Sequence, residues 1–183
     1  MNRLGFLFCF VCLPWFCFSQ KTTSNSAPKQ IPGTEGQKMH DEAKVNSLLP
    51  SFYFATDTEK FLTEKDLAKN KSIVLALFNP TCDHCLQVAY AIRDHYKLFE
   101  NVSVVFVTSV TNIGGLHGFA LSSELKRYSN VHFCATTDAF IAKTFMPNWI
   151  LPQVMLFNKQ RKLKKIFYET VNADSMHYYL IKP

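Results

Sequence analysis

The feature that most constrains this chain is a change of backbone over residues 73–85. IVLALF (residues 73–78) is an unbroken apolar run bounded by Lys71 and Pro80. Such a run suits a central strand covered on both faces, as in a largely parallel sheet. Pro80 has no N–H to offer a strand, so the strand stops there. A helix then begins at about Cys82 or Asp83 and runs to residue 99, with Leu86, Ala89, Tyr90, Ile92, Arg93, Tyr96 and Lys97 at helical spacing.

The surrounding elements fit that centre. Residues 51–55 predict a short strand and residues 63–69 one or two helical turns. VSVVFVT (residues 102–108) predicts a second buried strand, rich in β-branched residues. A helix is expected over 116–128, a strand over 131–135 and a short helix over 138–145. NIGGLHGF (residues 112–119) has three glycines without a phosphate-binding spacing and reads as a flexible strand-to-helix loop. Strands at 153–157 and 163–168 flank a polar five-residue connection suited to a hairpin, and Lys164 and Lys165 would protect an edge strand from stray pairing. Residues 173–181 close the chain as a helix. The expected fold class is α/β, a central mixed sheet with helices on both faces.

Upstream, the chain reads differently. Arg3 precedes an almost wholly apolar stretch from Leu4 to Phe18, and Cys17 and Ser19 put small residues at a cleavage site. Residues 1–19 therefore read as a signal peptide, with an uncleaved membrane anchor as the alternative. Residues 20–46 are polar and poor in large apolar side chains, so they read as a flexible linker. Residues 47–183 are one domain, large enough to bury a core. The whole chain of 183 residues carries a formal charge of +6; without Arg3, nineteen Lys plus Arg against fourteen Asp plus Glu leave +5. That mild excess does not imply nucleic acid. Three of the six cysteines leave with the leader, and Cys82, Cys85 and Cys134 remain. An odd count argues against a disulfide framework and for one working pair. Cys134, inside VHFCA, reads as a small buried hydrophobe.

Cys82 and Cys85 carry the chemistry. A sulfur at a helix N-terminus sits where unpaired N–H groups and the helix dipole favour negative charge, and the thiolate is the attacking species in disulfide exchange. Cys85 lies one turn on, within reach to close a disulfide or resolve a mixed one. His84, when protonated, would favour the Cys82 thiolate; Asp83 would oppose that while favouring the helix start. A zinc half-site is the competing reading, but no second Cys-x-x-Cys or close His pair follows it, and His95, His117, His132 and His177 show no metal spacing.

FNPTCDHC (residues 78–85) after an apolar strand resembles the active-site segment of the thioredoxin-like superfamily, particularly exported TlpA-like thiol–disulfide oxidoreductases. Leu49-Pro50-Ser51-Phe52 upstream and Ile150-Leu151-Pro152-Gln153-Val154 downstream extend the likeness. The resemblance implies a cis Pro152 facing the active site, with the Leu151 backbone offered to a substrate chain. It implies an enzyme in which Cys82 attacks and Cys85 resolves, acting on protein thiols or disulfides and served by a membrane or exported electron-transfer partner. The redox group would be the Cys82–Cys85 disulfide itself, with no added cofactor or metal. A monomer in the periplasm or cell envelope is expected.

Two departures stand out. Ala76 occupies the position six residues before the first cysteine where many thioredoxins carry a buried acid, and Asn79-Pro80-Thr81 replaces the tryptophan-containing approach. The alternatives are a peroxiredoxin, whose PxxxTxxC pattern is broken here by Leu75 and Asn79, and a copper-binding carrier of the same fold.

Overall fold

The computed structural model describes residues 44–58, 60–145 and 150–181. The expected leader, most of the expected linker and Trp149 lie outside the described residues.

Strand β3 (Ser72–Leu77) is buried along its whole length, between β4 (Val102–Ser109), parallel to it, and β6 (Gln153–Phe157), antiparallel. With side chains packed on both faces, neither β3 nor β4 has a wet side to mark with polar residues. Strand β5 (Val131–Thr136) runs parallel to β4, and β1 (Tyr53–Thr56) returns antiparallel along β5. Short edge strands finish the sheet: β2 (Phe61–Thr63) beside β1, and β7 (Leu163–Tyr168) beside β6. The order is β2-β1-β5-β4-β3-β6-β7.

Helices α1 (Asp83–Asp94), α2 (Ile113–Ser122) and α4 (Ala173–Ile181) cover one face, burying Val88, Ile92, Phe119 and Met176 against Val74, Phe106 and Val154. On the other face, α3 (Asp138–Thr144) and the connection from β2 to β3 bury Ile141 and Leu67 against Leu75, Val105 and Met155. Each large apolar side chain removed from water this way stabilises the fold by about 1.5–3 kcal/mol. Arg161, at the β6–β7 turn, donates from Nη2 to the carbonyls of Leu67 and Ala68 and so ties that connection to the hairpin.

Three sequence expectations need correction. Residues 63–69 are not helical. Thr63 ends β2, and the Asp66 carboxylate accepts from its N–H at 2.8 Å and its hydroxyl at 2.6 Å, closing a turn. A short acidic side chain here competes for the donor that a helix would need. The expected 116–128 helix starts earlier and stops at Ser122. Ser123 Oγ donates to the Ala120 carbonyl, Glu124 takes a left-handed φ of 57°, and a 3-10 turn follows at Leu125–Arg127. The glycines of NIGGLHGF therefore lie in a helix, not in a loop. The 85–99 helix is likewise cut at Asp94 and resumes as a 3-10 turn at Tyr96–Leu98.

Candidate active site

The site is built where β3 ends. Phe78 still donates to the Val107 carbonyl at 3.0 Å, and its ring packs on Phe119 with centroids 4.2 Å apart. Beyond it, Asn79 organises the turn: its Oδ1 accepts from both the N–H and the hydroxyl of Thr81 at 3.0 Å, and its carbonyl accepts from the Cys82 N–H at 3.0 Å. Cys82 is the N-cap of α1, in extended backbone with φ −95° and ψ 115°. Its Sγ accepts from the Cys85 N–H at 3.3 Å, and its carbonyl accepts the first helical bond from Leu86. The sulfur thus does the work that Ser, Asp or Asn usually does at a helix start. If ionised it would gain a charge-assisted bond, stronger than a neutral one.

The two cysteines differ in access. Cys82 is half-buried, whereas Cys85 is fully buried among Val88, Ala89 and Phe78. Burial pushes the Cys85 thiol well above the usual thiol range, and its hydrogen bond with Cys82 adds to that. Cys134 sits in the opposite layer, fully buried on β5, with its thiol pushed up to about 12 by burial. All three are free thiols. Asp83 and His84 are both exposed, and neither side chain forms a hydrogen bond or ion pair among the described residues. Any effect of theirs on Cys82 therefore passes through solvent, where charges are screened.

On the far side of the turn, the Leu151–Pro152 bond is cis, as the resemblance implies. Pro152 is buried and its carbonyl accepts from the Glu169 N–H at 2.9 Å, while Leu151 is half-buried between the two core layers. The β3–β6 register pairs Leu77 with Gln153. That brings Leu151 opposite Asn79, and both line a cleft of about 220 Å³ with Asn112 and Asp138. The Ala76 departure is also visible. Ala76 is buried between Phe106 and Val154 in the neighbouring strands, so no carboxylate approaches Cys85 from that position.

Some of the site was invisible to sequence reasoning. Gly115 lies against Pro80: a Cβ added there would meet the Pro80 Cβ at 2.7 Å and Cγ at 3.1 Å. Glycine lets α2 approach the turn that carries Cys82, and a glycine pair inside helical spacing was the available signal. Val110 on the β4–α2 connection and Ile113 at the start of α2, 40% and 44% exposed, add apolar surface there. Among the described residues, no group of three or more His, Cys, Asp or Glu side chains is placed to hold a metal ion.

No family model and no curated protein matches the sequence. Solved structures do match the fold. A secreted disulfide oxidoreductase of Mycobacterium tuberculosis superposes with a TM-score of 0.58 at 16% identity, over 70% of this chain and 92% of that one. The thioredoxin domain of a thiol–disulfide oxidoreductase from Bacteroides vulgatus gives 0.54 at 12% identity, over 73% and 93%. The exposed lipoprotein thioredoxin of Streptococcus pneumoniae gives 0.51 at 18% identity, over 69% and 95%. Sequence agreement this low speaks to architecture, and with the strand order, the cis-proline loop and the helix capped by a cysteine it places the chain in the thioredoxin-like fold.

Proposed function

We propose that the protein is a thiol–disulfide oxidoreductase in which Cys82 is the nucleophile and Cys85 the resolving thiol. The observation that carries this reading is the unequal pair: an approachable sulfur capping α1, and a buried thiol one turn behind it. Similar structures that are named as disulfide oxidoreductases and thioredoxins support it.

The reaction runs as two displacements. The Cys82 thiolate attacks one sulfur of a substrate disulfide, forming a mixed disulfide and expelling the other sulfur as a thiolate, which takes up a proton. Cys85 then gives up its proton, attacks the Cys82 sulfur and releases the second substrate thiol. Two electrons pass to the substrate, and the Cys82–Cys85 disulfide remains. The reverse sequence oxidises a dithiol. Because burial keeps Cys85 protonated until the second step, the free enzyme offers one nucleophile and not two. With Ala76 under the site, the leaving thiolate or water must take the Cys85 proton.

The Leu151 backbone, which makes no hydrogen bond among the described residues, is positioned to pair with an extended substrate beside Cys82. Protein thiols or disulfides are the substrate class, and the redox disulfide is the sole redox group of this reading. A secreted protein and an exposed lipoprotein among the similar structures favour action outside the cytoplasm, with an exported or membrane partner resetting the pair.

The test is the Cys85→Ser variant incubated with a disulfide-containing protein. A reducible adduct on Cys82 should accumulate, seen as a mass increase that dithiothreitol removes and that the Cys82→Ser variant never forms. If wild-type protein neither reduces nor oxidises a model disulfide and Cys85→Ser traps nothing, the reading fails.

A further inference from the structure

A cavity of about 380 Å³ opens at the end of the sheet away from Cys82, where β3 and β4 begin. Its floor is apolar, made by Leu98, Val102 and Leu180. Its rim is polar and carries Ser72, Lys97, Asn101, Asn158, Lys159 and His177. His177 Nδ1 lies 3.2 Å from the Leu98 carbonyl, to which its N–H donates. Asn158 Oδ1 accepts from the N–H groups of Gln160 and Lys162, so its amide NH2 is the end left over. Ser72 Oγ donates to the Leu180 carbonyl at 3.1 Å. Lys97 and Lys159 reach the cavity from two separate segments, and neither forms an ion pair or hydrogen bond among the described residues. Among the described residues, no carboxylate lines the space.

We propose that this cavity binds a small organic anion: a carboxylate or phosphate head held by Lys97 and Lys159, on a compact hydrocarbon body lying over Leu98, Val102 and Leu180. The volume falls in the range of small-molecule sites, which combine an apolar lining with a few orienting polar groups. Two ammonium groups that have no partner among the described residues, beside an apolar floor, favour a ligand that carries both an anionic head and a hydrocarbon body. A cationic ligand is repelled by both ammonium groups, and a neutral one leaves their charge unused. Nothing in this assignment depends on the chemistry of Cys82.

The test titrates the full reduced chain with hexanoate and with hexyl phosphate, followed by amide shifts in a two-dimensional NMR spectrum. Hexanol and hexylamine serve as the neutral and cationic comparisons. At least one anion should saturate with a Kd of about 1 mM or tighter, moving signals of Leu98, Val102 and Leu180. Hexanol should bind at least about tenfold more weakly and hexylamine not at all. Whichever anion saturates identifies the head group. The double variant Lys97→Gln, Lys159→Gln should weaken anion binding by about tenfold while leaving hexanol affinity and the rate of disulfide exchange unchanged. The proposal is overturned if neither anion saturates by about 20 mM, if hexanol binds as tightly as the anions, or if the folded double variant binds them as wild type does. The hexanol and hexylamine comparisons decide the matter on wild type alone should the variant not fold.

Discussion

Cys82, Cys85 and Cys134 share a side chain but not an environment. Cys82 is reachable from solvent; the other two are fully buried, and burial raises the pKa of both. Alkylation needs both thiolate and access. Brief treatment of the folded, reduced protein with iodoacetamide at neutral pH should therefore modify Cys82 alone, and unfolding in guanidinium should open all three, a pattern that peptide mass spectrometry reads directly. A second residue-level expectation concerns His132 on β5. Burial holds its imidazole below the usual value of 6.5, with Asp66 pulling partly the other way. A histidine kept neutral in the folded state is protonated more readily in the unfolded chain. Its contribution to stability is therefore complete above about pH 6.5 and shrinks as the pH falls toward the lower folded value. Urea unfolding should show stability declining from pH 7 to pH 5, with a shallower decline in His132→Gln.

At the scale of elements, α2 packs directly on the turn before Cys82. Gly115→Ala puts a methyl into the Pro80 ring, a rigid neighbour. Overpacking of this kind costs about 1–3 kcal/mol, against about 0.5–1 kcal/mol gained by replacing a helical glycine. The net result should be destabilisation, with slower exchange because the turn is displaced. Gly118 has open space around its missing Cβ, so Gly118→Ala should stabilise by about 0.5–1 kcal/mol and leave exchange unaltered. Equilibrium unfolding and a disulfide-reduction assay on the pair separate the two effects. These same elements show what was legible in sequence. IVLALF and VSVVFVT announced β3 and β4 because double-sided burial leaves a compositional trace. Cys82 and Cys85 were legible because Pro80 and the helical spacing fixed their place. The turn at 63–69 and the break at Ser123 were not, because both depend on one side-chain hydrogen bond competing with the backbone. Nor could spacing alone reveal that Gly115 meets Pro80, a contact between residues brought together only by the β3–β4 pairing.

Across the described domain, the sheet separates the two proposed sites. About 20 Å of β3 lies between the cavity beside Ser72 and the turn that presents Cys82. The end away from Cys82 is also where the chain enters the fold. Asn46 and Leu49 donate to the carbonyls of Leu163 and Arg161, Ser47 accepts from the Leu163 N–H, and Leu48 bridges to Lys162, all at the start of β7. This clasp closes part of the exposed margin of β7, where a loose strand would otherwise invite a neighbour. It also sets a direction. The described chain enters at the pole opposite Cys82, so loosening this clasp would open the far margin of the sheet and leave the turn before Cys82 in place.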